Sequence, residues 1–392
     1  MSQKKRRILI ATRVHLPEPT AASQRWAAVE KALVKAGFEV EVLTSKYPHT
    51  DGGDRDNDIV VKRWPTLRDK DGNLRGYFPY LSFDIPLFFR LLAAKRADLI
   101  MVEPPPTTGL AARAAATIRR TPYMWYAADT WSSGAKSMGA PGLVVKLLEK
   151  AESFAISGAK GVIAVTEGVE RQVRKMGAKQ VFLVPNGIDT DVYRPGGSQD
   201  LGLEDPYFIY AGTASEFQGA TIFLDAFERL LETRPQTQLL FVGGGSDWAE
   251  IRRRAQQIND QYSDMAPRVL VMDMLQPREV APLLSSAIAA LVSIAPLHAT
   301  DTPYPTKILA ALACGTPVIF AGPGQASDDI TNEKLGIATQ YEMGEILDAM
   351  TELLRTGDVY SPNFLRAWVI ENRSLSRTGD GVLGAVRDAL RR

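Results

Sequence analysis

Short β-rich runs alternate with helix-length amphipathic stretches from one end of this chain to the other, and that alternation leaves few folds open. In the first half the runs are Arg7–Thr12, Phe38–Thr44, Asp98–Val102, Tyr123–Ala127 and Gly161–Val165. Helical patterns lie between them at Ala22–Ala36, Asp84–Ala94, Gly109–Ile118 and Leu143–Ile156. The second half repeats the scheme, with strands at Tyr207–Ala211, Gln238–Val242, Val269–Met272, Ala289–Ile294 and Pro317–Ala321. Its helical stretches are Ala220–Glu232, Trp248–Gln257, Arg278–Ser286, Thr306–Cys314 and Gly344–Leu354. Strands separated by helices return in the same direction, so they pair in parallel and the helices cover both faces of the sheet. The prediction is an α/β protein with two doubly wound, Rossmann-like parallel sheets facing a central cleft.

The turn formers cluster between Val184 and Leu203, in Pro185-Asn186-Gly187, Asp189 and Pro195-Gly196-Gly197-Ser198. They predict a first domain over 1–190 and a second over 204–360, followed by helical stretches at Phe364–Glu371 and Gly381–Leu390 within 361–392. Lys and Arg number 46 against 45 Asp and Glu, a net charge of +1, which argues against a dedicated nucleic-acid binder. One cysteine, Cys314, excludes an internal disulfide and a cysteine-only metal cage, and only three histidines are present. No apolar run approaches the length of a membrane span. The basic Lys4-Lys5-Arg6-Arg7 leads into an apolar run too short for a signal peptide, so it is expected to be a first strand of a cytoplasmic protein.

The candidate site residues fall just past the predicted strand ends, where such sheets bind ligands. The turn after the first strand carries no glycine, which excludes a dinucleotide fingerprint. There Ala21-Ala22, with Ser23 as a candidate cap, would let a ligand approach the helix start. Arg25 follows, opposing the helix dipole and hinting at an anion nearby or else standing solvated. Glu103-Pro104-Pro105-Pro106 is a stiff loop, with Thr107 or Thr108 able to cap the next helix. Asp129, past Tyr123–Ala127, is either a loop cap or a carboxylate for sugar hydroxyls, with Trp131 offering a face for stacking.

In the second half Gly212, Thr213, Ser215, Gln218, Gly243 and Gly244 would bring amides and hydroxyls to phosphates. Asp273-Met274-Leu275 would receive a base through its backbone. Pro305-Thr306-Lys307 would open a small-residue helix, Thr306 capping it and Lys307 adding charge at a phosphate site. Aromatic residues crowd Tyr77–Arg90, with Arg75, Lys95 and Arg96 as basic flanks. That pattern reads either as a buried helix or as a surface for peripheral membrane contact.

These stretches together resemble a GT-B fold glycosyltransferase of the retaining family 4, closest to its bacterial surface-polysaccharide branch. Val184-Pro185-Asn186-Gly187-Ile188-Asp189 with Tyr193-Arg194-Pro195 is similar to the family linker, and Tyr210-Ala211-Gly212 through Gln218-Gly219 to the opening of its donor domain. Pro305-Thr306-Lys307 and Ala313-Cys314-Gly315-Thr316-Pro317-Val318 resemble its donor-site helix, and Arg25 and Asp129 also find counterparts. The resemblance implies transfer of a sugar from a nucleotide diphosphate sugar, UDP- or GDP-linked, to a sugar, glycan or lipid-linked hydroxyl acceptor. It also implies retention of configuration, no metal or other cofactor, and C-terminal helices that cross back to the first domain. Asp129, Lys307 and Arg25 would be the catalytic groups. Separately from the resemblance, the residues lead to an expected cytoplasmic location, with peripheral contact to the inner face of the membrane as the alternative that Tyr77–Arg90 keeps open. The family's paired glutamates are Thr302 and Ala310 here, and its usual diphosphate-binding Arg and Lys are absent from Thr213–Gln218. Those departures keep two alternatives open, a non-catalytic partner subunit and a nucleotide-sugar epimerase.

Overall fold

The computed structural model describes residues 5–18, 20–48, 53–56, 59–69, 72, 74, 76–137, 139–197, 205–296, 304–356 and 359–391. Its contacts divide the chain into two units, Met1–Asn186 with Leu375–Arg392, and Gly187–Ser374. The first is built on β1 (Arg7–Ala11), β2 (Glu39–Ser45), β3 (Gly53–Asp56), β4 (Ile59–Trp64), β5 (Leu99–Val102), β6 (Tyr123–Ala127), β7 (Gly161–Ala164) and β8 (Val181–Leu183). Their order is β3-β4-β2-β1-β5-β6-β7-β8, and every pairing is parallel except β3 with β4 at the edge. Between them lie α1 (Ala21–Lys35), α2 (Tyr77–Ala93), α3 (Pro106–Arg119), α4 (Trp131–Ser137), α5 (Gly142–Ser157) and α6 (Glu167–Lys175). β1, β5, β6 and β7 are buried along their whole lengths, as a central strand covered on both faces requires.

The second unit carries β9 (Tyr207–Thr213), β10 (Gln238–Gly244), β11 (Val269–Asp273), β12 (Ala289–Ser293), β13 (Val318–Ala321) and β14 (Gly336–Thr339). They form an all-parallel sheet in the order β11-β10-β9-β12-β13-β14. Helices α7 (Ile222–Leu231), α8 (Trp248–Gln261), α9 (Pro277–Ser286), α10 (Thr306–Ala313), α11 (Gln325–Asn332), α12 (Met343–Thr356) and α13 (Pro362–Asn372) cover it. Two apolar clusters, one around Phe223, Phe227 and Phe241 and one around Ile209, Leu312 and Phe320, pack its sides. α13 packs on α10, whereas α14 (Leu375–Arg391) packs on α1 in the first unit.

Both doubly wound sheets expected from the alternation are present. In each, strand order reverses once, between β1 and β5 and between β9 and β12. At such a point neighbouring connections leave for opposite faces and open a crevice at the carboxyl ends of the strands.

Several elements differ from expectation. β9 and β10 run on through Gly212-Thr213 and Gly243-Gly244, so these residues are strand and not loop. α2 begins at Tyr77, not Asp84: Pro79 falls in the first turn, where its missing N–H costs nothing. Pro86 stands mid-helix, and the complete burial of Phe83, Leu87 and Leu91 offsets it. The expectation of a wholly buried helix fails, because Phe78, Leu81, Ile85 and Phe89 on its other side are exposed.

Candidate active site

In the first unit the crevice between β1 and β5 is lined by charge. Thr20, not Ser23, caps α1: its hydroxyl accepts the Ser23 N–H at 3.1 Å. Ala21 and Ala22 are the first two helical residues and Arg25 the fifth, past the first turn. Arg25 is buried and not solvated. Its Nη2 donates to Glu103 Oε2 at 2.6 Å, and its guanidinium lies 4.5 Å from the centre of the Tyr126 ring. The anion that its position called for is therefore a side chain of the same sheet edge. Glu103 also accepts the Thr12 hydroxyl at 2.5 Å, which ties the ends of β1 and β5 together.

Thr107 and Thr108 do not cap α3, whose N-cap position is Pro105. Their hydroxyls both donate to the buried carboxylate of Asp84 on α2, each at 2.6 Å. Burial pushes the Asp84 carboxyl up while these two hydroxyls oppose the shift. Arg13 reaches over the Tyr80 ring at 3.9 Å, and burial lowers its pKa. Among the described residues its Nε and Nη1, both buried, have no hydrogen-bond partner, while its Nη2 donates to the Pro104 carbonyl at 3.3 Å.

Asp129 follows β6. Its side chain keeps accessible surface, but protein fills most of the space around it. That desolvation, with the carboxylates of Glu152 and Glu103 nearby, pushes its carboxyl up to about 6, while Arg25 and Arg13 pull it down. Glu152, buried on α5, accepts the Trp131 and Ser132 N–H groups at 2.6 and 3.0 Å and so caps α4. Trp131 packs edge-on against Tyr80 at 5.5 Å, which leaves it only partly free to stack. The structure thus gathers Arg25 and Asp129 within electrostatic reach of each other. It adds Glu103, Arg13 and Glu152, which sequence reasoning did not assign. Glu103 bore the same mark that selected Asp129, a carboxylate just past a strand end.

In the second unit Lys307 is the centre of the crevice between β9 and β12. Its Nζ donates to the Tyr210 hydroxyl and to the Thr213 carbonyl, both at 2.5 Å. The Tyr210 hydroxyl donates to the same carbonyl at 2.7 Å. Desolvation lowers the Lys307 pKa to about 7. Gly212, at φ +127°, is needed for this contact: a Cβ there would stand 2.7 Å from Lys307 Cε. Gly243 is needed for packing, since its Cβ would meet the Gly212 carbonyl at 2.0 Å, whereas Gly244 faces open space. Of this glycine pair only Gly244 leaves room for a ligand.

Thr306 is the first residue of α10 and not its cap. Pro305 holds the N-cap position, and among the described residues no side-chain capping bond is made there. Gln218 is turned inward, accepting from the Ser215 N–H at 3.1 Å and its hydroxyl at 2.5 Å. Gly212, Gly243 and Asp273 sit side by side in register at the strand ends. Asp273 pairs with Arg252 at 2.7 Å, Met274 is exposed and Leu275 half-buried. Ala310 is buried in the core and offers no carboxylate, and Thr302 lies outside the described residues.

Two family models match this chain: residues 20–187 fit a glycosyl transferase 4-like domain, and residues 205–356 fit glycosyl transferases group 1. The chain is a GT-B glycosyltransferase. Among solved structures, sucrose-phosphate synthase from Thermosynechococcus elongatus is 19% identical with TM-score 0.75, covering 98% of this chain and 99% of that one. The α,α-trehalose-phosphate synthase (UDP-forming) of Burkholderia vietnamiensis is 14% identical with TM-score 0.75, covering 99% of each chain. Anabaena HepE, solved in complex with UDP-glucose, is 16% identical with TM-score 0.69 and covers 97% of this chain and 99% of that one. No curated protein matches the sequence. For this glycosyltransferase these likenesses establish the shared fold, while its crevice residues stand on their own geometry.

Proposed function

We propose that this glycosyltransferase moves a sugar from a nucleoside diphosphate sugar to a hydroxyl acceptor, retaining the anomeric configuration, in glycan or glycolipid biosynthesis. The observation that carries the reading is Lys307 Nζ at the β9–β12 switch point, beside the start of α10, where Pro305 at the N-cap position supplies no side-chain cap. A diphosphate placed there would meet an ammonium and the first-turn amides of a helix, and both gain in strength as charge develops on the leaving group. The reading assigns charge neutralisation to these groups and calls on no metal. Uridine is the favoured base because HepE is solved with UDP-glucose in the same fold. The backbone at Asp273-Met274-Leu275, at the end of β11, would take the base. Gly244, Thr213 and the Gln218 turn would border the phosphates.

In the first unit Asp129 would orient acceptor or sugar hydroxyls, ionised above about pH 6. Arg25 is spent on Glu103, so its part is to offset negative charge at Asp129 rather than to grip a phosphate. With Ala310 supplying no carboxylate in place of a family glutamate, donor grip rests on Lys307 more than the resemblance implies.

The test is a thermal-shift and isothermal-titration screen of UDP and GDP sugars, followed by assay of nucleotide release. Stabilisation by one nucleotide sugar, lost in Lys307→Ala, supports the reading. Unchanged donor affinity and turnover in Lys307→Ala would refute the phosphate assignment, and donor binding without any turnover would favour a non-catalytic subunit.

A further inference from the structure

The first unit exposes a large apolar face that its fold does not use. On α2 the stripe Phe78, Leu81, Ile85 and Phe89 recurs at helical spacing, with Phe78 79%, Ile85 58% and Phe89 62% exposed. α3, packed against α2, adds Leu110 and Ile118 one and three turns along its outer side. α5, packed against α3, adds Leu143, Leu147 and Phe154, with Leu143 72% exposed. Three adjoining helices thus present their outer apolar stripes side by side. Scattered exposed apolar residues are ordinary, but a contiguous set of this size marks an interaction surface.

The charges around the face have one dominant sign. Lys146 and Lys150 stand exposed within the α5 stripe itself, Lys95 and Arg96 follow the end of α2, and Arg120 follows α3. Glu149 is the exposed acid among the α5 residues, since Glu152 is buried as the α4 cap. Asp84, the one acid of α2, is likewise buried and held by Thr107 and Thr108. Large aromatic and aliphatic side chains edged by lysine and arginine are the composition of helices that lie in a lipid interface. Among the described residues no helix is long and apolar enough to cross a membrane, so a bilayer would be met from its surface.

We propose that the α2–α3–α5 face docks on an anionic lipid bilayer, with Phe78, Ile85, Phe89, Leu143 and Leu147 entering the headgroup region and Lys146 and Lys150 meeting lipid phosphates. A second copy of the chain is the competing occupant. It fits less well, because a self-complementary interface would set the basic rim of one copy against that of the other. The assignment does not rest on sugar transfer, since it can be read with no donor present.

The test is flotation of the full chain with phosphatidylcholine vesicles, with and without phosphatidylglycerol, at low and high salt. Binding is expected to the anionic vesicles only and to weaken with salt. Ile85→Ser with Phe89→Ser should reduce it at least about tenfold, from the apolar area withdrawn. Lys146→Glu with Lys150→Glu should reduce it by about fivefold or more per lysine. All four positions are exposed, so an unchanged melting temperature is expected and serves as the folding control. If one pair fails to fold, the other pair still decides. No binding to anionic vesicles, equal binding to neutral ones, or binding that survives the substitutions would overturn the proposal. Self-association abolished by the same substitutions, with no vesicle binding, would assign the face to a second copy instead.

Discussion

Donor affinity should depend on pH through Lys307. Its pKa falls from 10.5 to about 7 in the ligand-free protein because burial takes the ammonium out of water. At pH 8 only about one Lys307 in ten then carries its charge. A diphosphate beside Nζ favours the charged form, so the complex must take up a proton before the contact is made. Apparent affinity is therefore nearly flat below pH 7 and weakens by up to about tenfold per pH unit above it, until the pKa of the complex is reached. A nucleotide sugar is the right probe, because its diphosphate diester has no ionisation of its own in that range. Isothermal titration at pH 6 and 8, in buffers of different ionisation enthalpy, would read both the affinity change and the proton taken up. Lys307→Arg, which stays charged, should show a flat profile, and Lys307→Met a weak and equally flat one. An affinity equal at pH 6 and 8 in the wild type, or a pH dependence that survives Lys307→Met, would refute the reasoning.

Other outcomes follow from the same contacts. The lowered pKa means that charging Lys307 opposes folding below about pH 7, and that this opposition fades as pH rises towards 10.5. Lys307→Met should therefore stabilise the ligand-free protein at pH 6 and lose that advantage by pH 10, as urea unfolding would show. Glu103→Ala strands the buried Arg25 guanidinium, while the Thr12 hydroxyl keeps the Val14 carbonyl at 2.8 Å, and should cost about 3–5 kcal/mol. Adding Arg25→Met should recover part of that loss in the same denaturation assay. Gly212→Ala meets Lys307 Cε and a positive φ, costing about 1–3 kcal/mol. Calorimetry should show donor affinity falling with it, while Gly244→Ala, whose Cβ meets no protein atom, should leave the stability of the folded protein unchanged and lower donor affinity only by intruding on the space assigned to the phosphates. Asp129→Asn should remove a rise in nucleotide-release rate centred near pH 6, seen in the pH profile of kcat/KM.

The elements easiest to read in the sequence were those with a strong, uninterrupted pattern. β6 falls on Tyr123–Ala127 as expected, because a strand buried on both faces is apolar at every position. β4, Ile59–Trp64, carries Lys62 and Arg63 and lies next to the edge strand, so its pattern is diluted. β8 and β14 are only three and four residues long and lie at sheet edges, too short to show a period. Helix α2 was half hidden by Pro79 and Pro86, whose cost is met by core contacts that local propensity does not register. Candidate caps were misplaced by a residue or more at Ser23 and Thr306. Which oxygen meets which amide depends on where the helix enters, and the composition of the turn leaves that open.

Within the candidate site the sequence located the strand ends, and so the neighbourhoods of Arg25, Asp129, Gly212 and Lys307. Alternating strands and helices force parallel pairing, and parallel pairing puts all the carboxyl ends on one edge. The partners came only from the tertiary structure. Arg25 meets Glu103 across 78 positions, and Lys307 meets Tyr210 across 97. Each contact spans a point where strand order reverses, and strand order is set by how whole helices pack on the sheet. Local periodicity carries the direction of each strand but not its neighbour. The charge state follows from the same cause, since burial beside those neighbours is what brings Lys307 and Asp129 close to neutral pH.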